Sequence, residues 1–221
     1  ATGDPVVYFP ACGGRIFGAN TAGEAGLGDV VIELLIRAGY APRLPEGFDK
    51  LCCGLMLASK GMAEEADEMA ETVAQALFKA ADDGHGATYP VVMDASSCAT
   101  RMQKHLAGRL NLLDFHEFAH DALLPRLRLR RKAGPVALHV NCSVRRTATD
   151  AKLRAVVAAC VEEFVEPAGV TCCGFAGDRG FVVPELNVHA LRKIHDALPS
   201  ACHEGVSANR TCEIGLTEES G

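Results

Sequence analysis

The sequence predicts an α/β protein made of two pseudo-symmetric repeats, each a small parallel sheet flanked by helices. Short apolar segments typical of strands alternate with segments of helical periodicity along the chain, and this alternation favours parallel sheets covered by helices. A cysteine pattern, Cys followed by Cys-Cys-Gly followed by Cys, also occurs twice. Such self-similarity indicates an internal duplication. We therefore expect one repeat with a connecting segment in residues 1–131 and a second repeat in residues 132–221.

The first half contains the following predicted elements. Short apolar runs predict strands at Val6–Phe9 and Tyr89–Met93, and a third strand starting at Leu112. Asp29 can cap a helix that ends near Gly39, and apolar residues at helical spacing predict another helix over residues 62–81. The glycine-rich segment 13–28 is expected to be a loop without phosphate-binding function, because it has no P-loop or dinucleotide-binding spacing.

The second half repeats this plan. A strand is predicted at Val136–Val140, followed by a helix capped near Asp150. Pro184 suits the first turn of a helix that extends to about Leu198. Cys160 lies on the apolar stripe of the helix after Asp150, so we expect it to be buried. Cys202 has no counterpart in the first half and is left unassigned, with a core cysteine as the favoured interpretation.

Two sets of four thiols follow from the repeat. They are Cys12, Cys52, Cys53 and Cys98 in the first half, and Cys142, Cys172, Cys173 and Cys212 in the second. Adjacent cysteines bond each other only with strain, so both sulfurs of each pair are expected to face a shared metal or metal cluster. Gly54 and Gly174 follow the pairs and would allow a sharp turn or a close approach to that group.

The single cysteines of each set follow predicted strands. The carboxyl ends of parallel strands meet at one edge of a sheet, where ligands bind. We therefore expect the four thiols of each half to converge at one edge. Cys98 would also lie at a strand-to-helix turn, where amide dipoles favour a thiolate.

Composition excludes several classes of function. The net charge of −6 and the short basic run, Arg126–Lys132, argue against a nucleic-acid partner. No apolar segment approaches the roughly 20 residues of a membrane span, and no secretory signal is present. No hydrolase motif is present either. We expect a cytoplasmic protein, with peripheral association at the inner face of the membrane as an alternative.

Four thiolates from separate loops suit either an iron-sulfur cluster or a structural zinc ion. Ten cysteines in a reducing compartment favour metal or redox chemistry over a disulfide scaffold. Zinc sites usually use compact Cys-x-x-Cys knuckles, which are absent here, so iron-sulfur is favoured. A thiol-disulfide redox domain using a vicinal pair stays open as a further alternative. Gly54, Gly174 and His139 are candidate hydrogen-bond donors to the bound sulfurs.

The repeated pattern resembles the cysteine-rich CCG domain of heterodisulfide reductase B subunits, glycolate oxidase iron-sulfur subunits and lactate-utilisation proteins. Three segments are similar to the C-terminal iron-sulfur part of FAD-linked D-lactate dehydrogenases. They are Phe9-Pro-Ala-Cys12, Asn141-Cys-Ser-Val-Arg145 and Arg210-Thr-Cys-Glu-Ile-Gly215. The resemblance extends over nearly the whole chain.

On this resemblance the family's cysteine ligands fall on all eight thiols of the two sets. The first cysteine of the family's terminal Cys-x-x-Cys falls on Ala95 and Asn209, so both halves lack that thiol. This departure argues against the double cluster and the disulfide cleavage associated with heterodisulfide reductase. Four thiolates per half are still enough for an ordinary [4Fe-4S] cluster.

The resemblance implies an electron-transfer domain carrying one or two [4Fe-4S] clusters, with zinc in one half as an alternative. Its partners would be an FAD-binding dehydrogenase domain or subunit that oxidises a D-lactate or glycolate type 2-hydroxy acid, and an acceptor such as a quinone or cytochrome. The chain begins without methionine and stops soon after Cys212, within a predicted helix. We therefore expect an excised part of a larger oxidoreductase, with no catalysis of its own.

Overall fold

The computed structural model describes residues 3–19 and 23–220. Contacts divide the chain into two compact units, Ala1–Leu127 and Arg128–Gly221. Each unit has its own parallel sheet and its own helices. The predicted α/β fold with two repeats is therefore confirmed.

The first unit is built on four parallel strands in the order β2-β1-β3-β4. They are β1 (Asp4–Phe9), β2 (Tyr40–Arg43), β3 (Val91–Met93) and β4 (Leu112–Asp114). Val7 of β1 pairs with Val91 of β3, which in turn pairs with Leu112 of β4. All of β3 and residues Val6–Phe9 of β1 are buried because helices cover the sheet.

Six helices lie within the described residues of this unit. They are α1 (Cys12–Phe17), α2 (Leu27–Arg37), α3 (Leu55–Ser59), α4 (Ala63–Ala81), α5 (Ser96–Leu106) and α6 (Phe115–Phe118). A 3-10 turn (Phe48–Lys50) precedes the first cysteine pair, and a π turn (Ala119–Leu123) and a 3-10 turn (Leu124–Arg126) end the unit. Helix α4 places a stripe of small and aliphatic residues, including Ala70, Val73 and Leu77, in the main core.

The second unit repeats the arrangement with three parallel strands in the order β6-β5-β7. They are β5 (Lys132–His139), β6 (Val161–Val165) and β7 (Gly205–Ser207). Its helices are α7 (Cys142–Thr147), α8 (Asp150–Cys160), α9 (Arg179–Val182), α10 (Glu185–Leu191), α11 (Ile194–Ala197) and α12 (Arg210–Ser220). Strand β5 occupies the centre, as β1 does between β2 and β3, so both units share one core topology.

Several local expectations were wrong. The helix expected from Pro184 to about Leu198 is two helices, because a turn at Arg192 and Lys193 separates α10 from α11. The start of the glycine-rich segment 13–28 is helical rather than a loop, and residues 20–22 of that segment lie outside the described residues. The sequence analysis also missed two of the edge strands, β2 and β6.

The described residues include no helix with the length and apolar character required to cross a membrane.

Candidate metal centre

Two of the four cysteines of the first unit follow neighbouring strands of the sheet. Cys12 is the first residue of α1, directly beyond β1, and Cys98 lies in the first turn of α5, directly beyond β3. Because β1 and β3 are parallel neighbours, both thiols lie at the carboxyl edge of the same sheet. The amide dipoles at the start of each helix favour negative charge on these sulfurs.

The vicinal pair, Cys52 and Cys53, completes the first set. The pair lies in the connection between the turn Phe48–Lys50 and α3. The Sγ atoms of Cys12 and Cys52 are 3.8 Å apart, and those of Cys53 and Cys98 are 3.1 Å apart. Each member of the vicinal pair thus contacts a different partner thiol. Cys53 and Cys98 are buried, whereas Cys12 and Cys52 are partly exposed.

The second unit reproduces this geometry. Cys142 is the first residue of α7, beyond β5, and Cys212 lies in the first turn of α12, beyond β7. Cys172 hydrogen-bonds with Cys142, and the Sγ atoms of Cys173 and Cys212 are 3.0 Å apart. The structure therefore brings together the four predicted thiols of each half.

Gly54 and Gly174 have left-handed backbones, with φ of 75° and 82°. A Cβ at Gly54 would overlap the backbone of Ala66 in α4, with the Ala66 Cα at 2.9 Å, and a Cβ at Gly174 would lie 2.7 Å from the carbonyl carbon of Leu186 in α10. The expected sharp turn is present. The close approach is to the backbone of a helix, and it holds each cysteine pair against that helix.

Backbone amides after each pair point at the sulfurs. The N–H of Gly174 donates to Cys172 Sγ at 3.4 Å, and the N–H of Gly54 interacts in the same way with Cys52. The amide of Phe175 donates likewise to Cys173. Amides in this position favour thiolates and stabilise metal-bound sulfur.

The pKa values of the thiols follow from these contacts. The hydrogen bond from Cys142 lowers the pKa of Cys172 to about 6, with a further contribution from the amide of Gly174. In the first unit, the hydrogen bond from Cys12 and a second from Cys53 lower the pKa of Cys52, while the bond to Cys52 and burial raise the pKa of Cys12. At least one sulfur of each set is therefore prepared to be a thiolate, which is the form that binds metal.

Two arginines at equivalent positions were missed by the sequence analysis. Arg15 and Arg145 lie three residues after the first cysteine of each set, and each donates from Nε to the carbonyl two residues before that cysteine, Pro10 O or Val140 O. Arg15 also donates to Leu51 O at 2.7 Å, next to the first pair. The repeated Cys-x-x-Arg spacing was a readable signal that these residues order the site.

In each half, a side chain also donates a hydrogen bond to the backbone carbonyl of the second cysteine of the pair. In the first unit, Arg101 Nε donates to Cys53 O at 2.6 Å and its Nη2 contacts Asp67 at 2.9 Å. In the second unit, Asn187 Nδ2 donates to Cys173 O at 2.8 Å. The same backbone atom is therefore held by different side chains in the two halves.

Asp94 links the two strand ends that carry Cys12 and Cys98. Its carboxylate accepts hydrogen bonds from the Ala11 N–H at 2.7 Å and the Tyr8 hydroxyl at 2.5 Å. Burial raises the pKa of Asp94, and the two hydrogen bonds act in the opposite direction. This side chain fixes the distance between the loops on which the first set depends.

His139, predicted as a donor to bound sulfur, is buried on β5 and hydrogen-bonds through Nδ1 to Ser207 Oγ at 3.0 Å. Ser207 Oγ in turn donates to His139 O at 3.4 Å. His139 is therefore positioned to order β5 and β7, and its role toward sulfur stays a prediction.

The two remaining cysteines were placed incorrectly. Cys160 ends α8 and is exposed, and Cys202 is partly exposed and contacts Glu204 O at 3.6 Å. Helix α8 turns only Leu153 and Val157 fully inward, so its last residue falls outside the apolar stripe. Neither cysteine belongs to the core.

The donor set fits a thiolate-ligated metal group. Each set contains four sulfurs, amide donors surround them, and glycines hold the pairs in place. Within residues 3–19 and 23–220, no three His, Cys, Asp or Glu side chains are arranged to hold one ion. The sulfurs of each half form two close pairs, as the distances above describe, rather than a tetrahedron around a single point.

The family model of the CCG cysteine-rich domain matches the chain twice, over residues 6–103 and 136–217. Each match covers one complete set of four thiols. The comparison with curated proteins found no matching relative.

Proposed function

This chain belongs to the CCG cysteine-rich domain family, and we propose that it is the iron-sulfur electron-transfer domain of a flavin-dependent 2-hydroxy acid dehydrogenase. In this proposal each half holds one [4Fe-4S] cluster. The ligands are Cys12, Cys52, Cys53 and Cys98 in the first half, and Cys142, Cys172, Cys173 and Cys212 in the second. The observation that carries the proposal is the convergence of four thiols at one sheet edge in each unit.

A multi-iron cluster makes a different demand on the four sulfurs from the one that a single ion makes. In such a cluster each cysteine binds its own iron, so the four sulfurs need not surround a single point. To bind different irons, the sulfurs of each close pair would have to separate from the 3.1 Å between Cys53 and Cys98 and the 3.0 Å between Cys173 and Cys212. When bound, a cluster of this type takes up and releases single electrons, at potentials anywhere from about −700 to +450 mV.

The chain's own residues bind and order the site. The amides after each vicinal pair donate to sulfur, while Arg15 and Arg145 hold the loops that carry the first cysteines. Cys53 and Cys98 are buried, as are Cys173 and Cys212, which limits the access of water to half of each site. Ordered, partly dry sulfur ligands are what an electron carrier requires, because small changes around them alter the potential.

We assign the partners on the sequence resemblance described above. An FAD-binding domain or subunit would oxidise a D-lactate or glycolate type substrate and reduce this domain. A quinone, a cytochrome or another acceptor would then receive the electrons. The chain itself would bind no organic substrate.

A second candidate is a structural zinc module that binds a partner subunit. One observation favours it, since zinc-sulfur bonds of about 2.3 Å at tetrahedral angles place two sulfurs about 3.8 Å apart. Cys12 and Cys52 have this separation. Zinc in the first half and a cluster in the second is a mixed form of the same candidate.

The test uses the complete dehydrogenase with Cys172→Ser or Cys173→Ser. Reduction of the flavin by substrate should continue in stopped-flow experiments, while turnover with the physiological acceptor is lost. Cys160→Ser is the matched control, because this exposed cysteine lies outside the site and its replacement should preserve both steps. Unchanged turnover in the Cys172 and Cys173 variants would contradict the electron-transfer role.

A further inference from the structure

The residue before the first cysteine differs between the two halves. In the second half Asn141 precedes Cys142 and caps α7, accepting the N–H groups of Ser143 and Val144 at 3.0 and 3.1 Å. In the first half the equivalent residue is Ala11, which offers no side-chain hydrogen bond.

The carboxamide of Asn141 has an unused donor. Its side chain is fully buried, and within the described part of the chain its Nδ2 has no hydrogen-bond partner. A buried N–H without a partner costs about 1–3 kcal/mol. The unpaired Nδ2 of Asn141 is next in sequence to the proposed ligand Cys142. It would gain a hydrogen-bond partner if the loaded site contained an acceptor such as sulfur.

The residue three positions before the last cysteine of each set also differs between the halves, and again only the second half has an asparagine. Asn209 precedes α12, is buried, and forms a side-chain hydrogen bond with the thiol of Cys212. Its equivalent in the first half is Ala95, directly before α5. Two carboxamides thus border the second set of thiols where the first set has two methyl groups.

Charges near the two sites do not offset this difference. Arg15 and Arg145 are equivalent in sequence, but the positive charge of Arg15 acts on Cys12 and Cys52 in the first half, as that of Arg146 acts on Cys142 in the second. Arg101 is paired with Asp67 in the first half, where the second has the neutral Asn187, so the net charge at this position is the same.

Two further groups act in the second half. Glu213, beside Cys212, is paired with Arg210 at 3.4 Å. Arg146 adds a positive charge that acts on Cys142, and its equivalent in the first half is the apolar Ile16. The buried carboxyl of Asp94 belongs to the first half, and Ala208 takes its place in the second.

Hydrogen bonds to sulfur and nearby positive charge both stabilise the reduced, more negative state of an iron-sulfur cluster, and so they raise its reduction potential. Resting on the proposed function, we propose that the second half holds the cluster of higher potential and that Asn141 and Asn209 are the positioning residues that set the difference. Transfer of one electron from the first cluster, which would be oxidised, to the second, which would be reduced, would then lower the free energy, and no bond in the protein would form or break.

An anaerobic redox titration followed by electron paramagnetic resonance tests this inference in the complete dehydrogenase. The wild type should show two midpoint potentials. The signal with the higher midpoint should be the one lost in Cys142→Ala, and the signal with the lower midpoint should be the one lost in Cys12→Ala.

Asn209→Ala and Asn209→Asp should each lower the higher midpoint and leave the other unchanged. The aspartate variant keeps an oxygen at the start of α12 but has no N–H, so it separates donation to sulfur from helix capping. Ala95→Asn is the reciprocal variant and should raise the lower midpoint. Iron content equal to that of the wild type shows that each variant has retained its clusters.

A higher midpoint assigned to the first half, or midpoints unmoved by the Asn209 and Ala95 variants in fully loaded protein, would overturn this inference and leave the proposed function intact. Protein that binds no iron and sulfide under anaerobic conditions would overturn both.

Discussion

Asn187 Nδ2 donates to the carbonyl oxygen of Cys173, and Asp67 follows Cys53 by the same 14 residues in the other half. Asp67 reaches its cysteine carbonyl only through Arg101. The residue equivalent to Arg101 is Gly215, where a Cβ would lie 2.7 Å from Asn187 Nδ2 and 2.9 Å from the ring of Phe175. The glycine therefore makes room for the direct hydrogen bond.

Asn187→Asp should destabilise the second unit by about 1–3 kcal/mol, because an acceptor would then face the buried carbonyl of Cys173. Asn187 is only 2% exposed, so water cannot compensate. Asp67→Asn is the matched control and should cost less than about 1 kcal/mol, since that carboxylate is 65% exposed. Urea unfolding of the metal-free chain measures both values, and equal losses would contradict the account.

The glycine after each cysteine pair should tolerate no side chain. Gly54→Ala and Gly174→Ala should each cost roughly 2–6 kcal/mol, combining about 1–3 for the left-handed backbone with about 1–3 for overlap with a helix backbone. Gly61→Ala is the control, because Gly61 also has a positive φ but a Cβ there would meet no atom within 4 Å. Thermal unfolding measures the loss of stability in each variant. A loss for Gly61→Ala as large as those for Gly54→Ala and Gly174→Ala would contradict the packing argument.

Burial and the charge of Arg145 lower the pKa of His139 to about 4, from about 6.5 in the unfolded chain. The folded state therefore binds fewer protons, and the stability of the second unit should fall by about 3 kcal/mol as the pH drops from about 6.5 to 4. His139→Phe, which places the residue found at the equivalent Phe9, should remove this part of the pH dependence. Denaturation curves between pH 7 and 4 measure it, and an identical slope in the variant would refute the assignment.

Thiol reactivity in the metal-free, reduced chain should identify Cys172 as a thiolate of the second set. Its pKa of about 6 means that the thiolate predominates at pH 7, and labelling by iodoacetamide should slow as the pH falls through 6. Cys160 is also exposed, but partial desolvation of its thiol raises the pKa. Cys160 should therefore react more slowly than Cys172 at pH 7. Peptide mapping by mass spectrometry compares the two sites, and faster labelling of Cys160 would contradict the prediction.

The sequence predicted the central strands and the placement of the single cysteines because both depend on strong local patterns. Val6–Phe9 is a continuous apolar run, and its carboxyl end determines where Cys12 lies. The edge strands β2 and β6 escaped prediction for a physical reason. Strand β2 contains Pro42 and β6 contains Glu162 and Glu163, residues that an edge position tolerates because one side of the strand has no neighbour.

The two sets of four thiols were readable from spacing, as was the repeated Cys-x-x-Arg pattern, whereas the other residues around the thiols were not. Asn187 and Asp94 reach the site from elements distant in sequence, and no local pattern marks them. Cys160 shows the opposite error, since helical spacing assigned it to the core although α8 ends at that residue. Interactions that depend on tertiary packing were therefore the part that the sequence could not provide.

The central claim is that each set of four thiols holds a [4Fe-4S] cluster, and the most direct measurement is iron, zinc and acid-labile sulfide per chain in protein purified without oxygen. Two four-iron, four-sulfide clusters require about eight iron and eight sulfide per chain, and this is the result we expect. Zinc bound without sulfide would contradict the claim and identify a structural module instead.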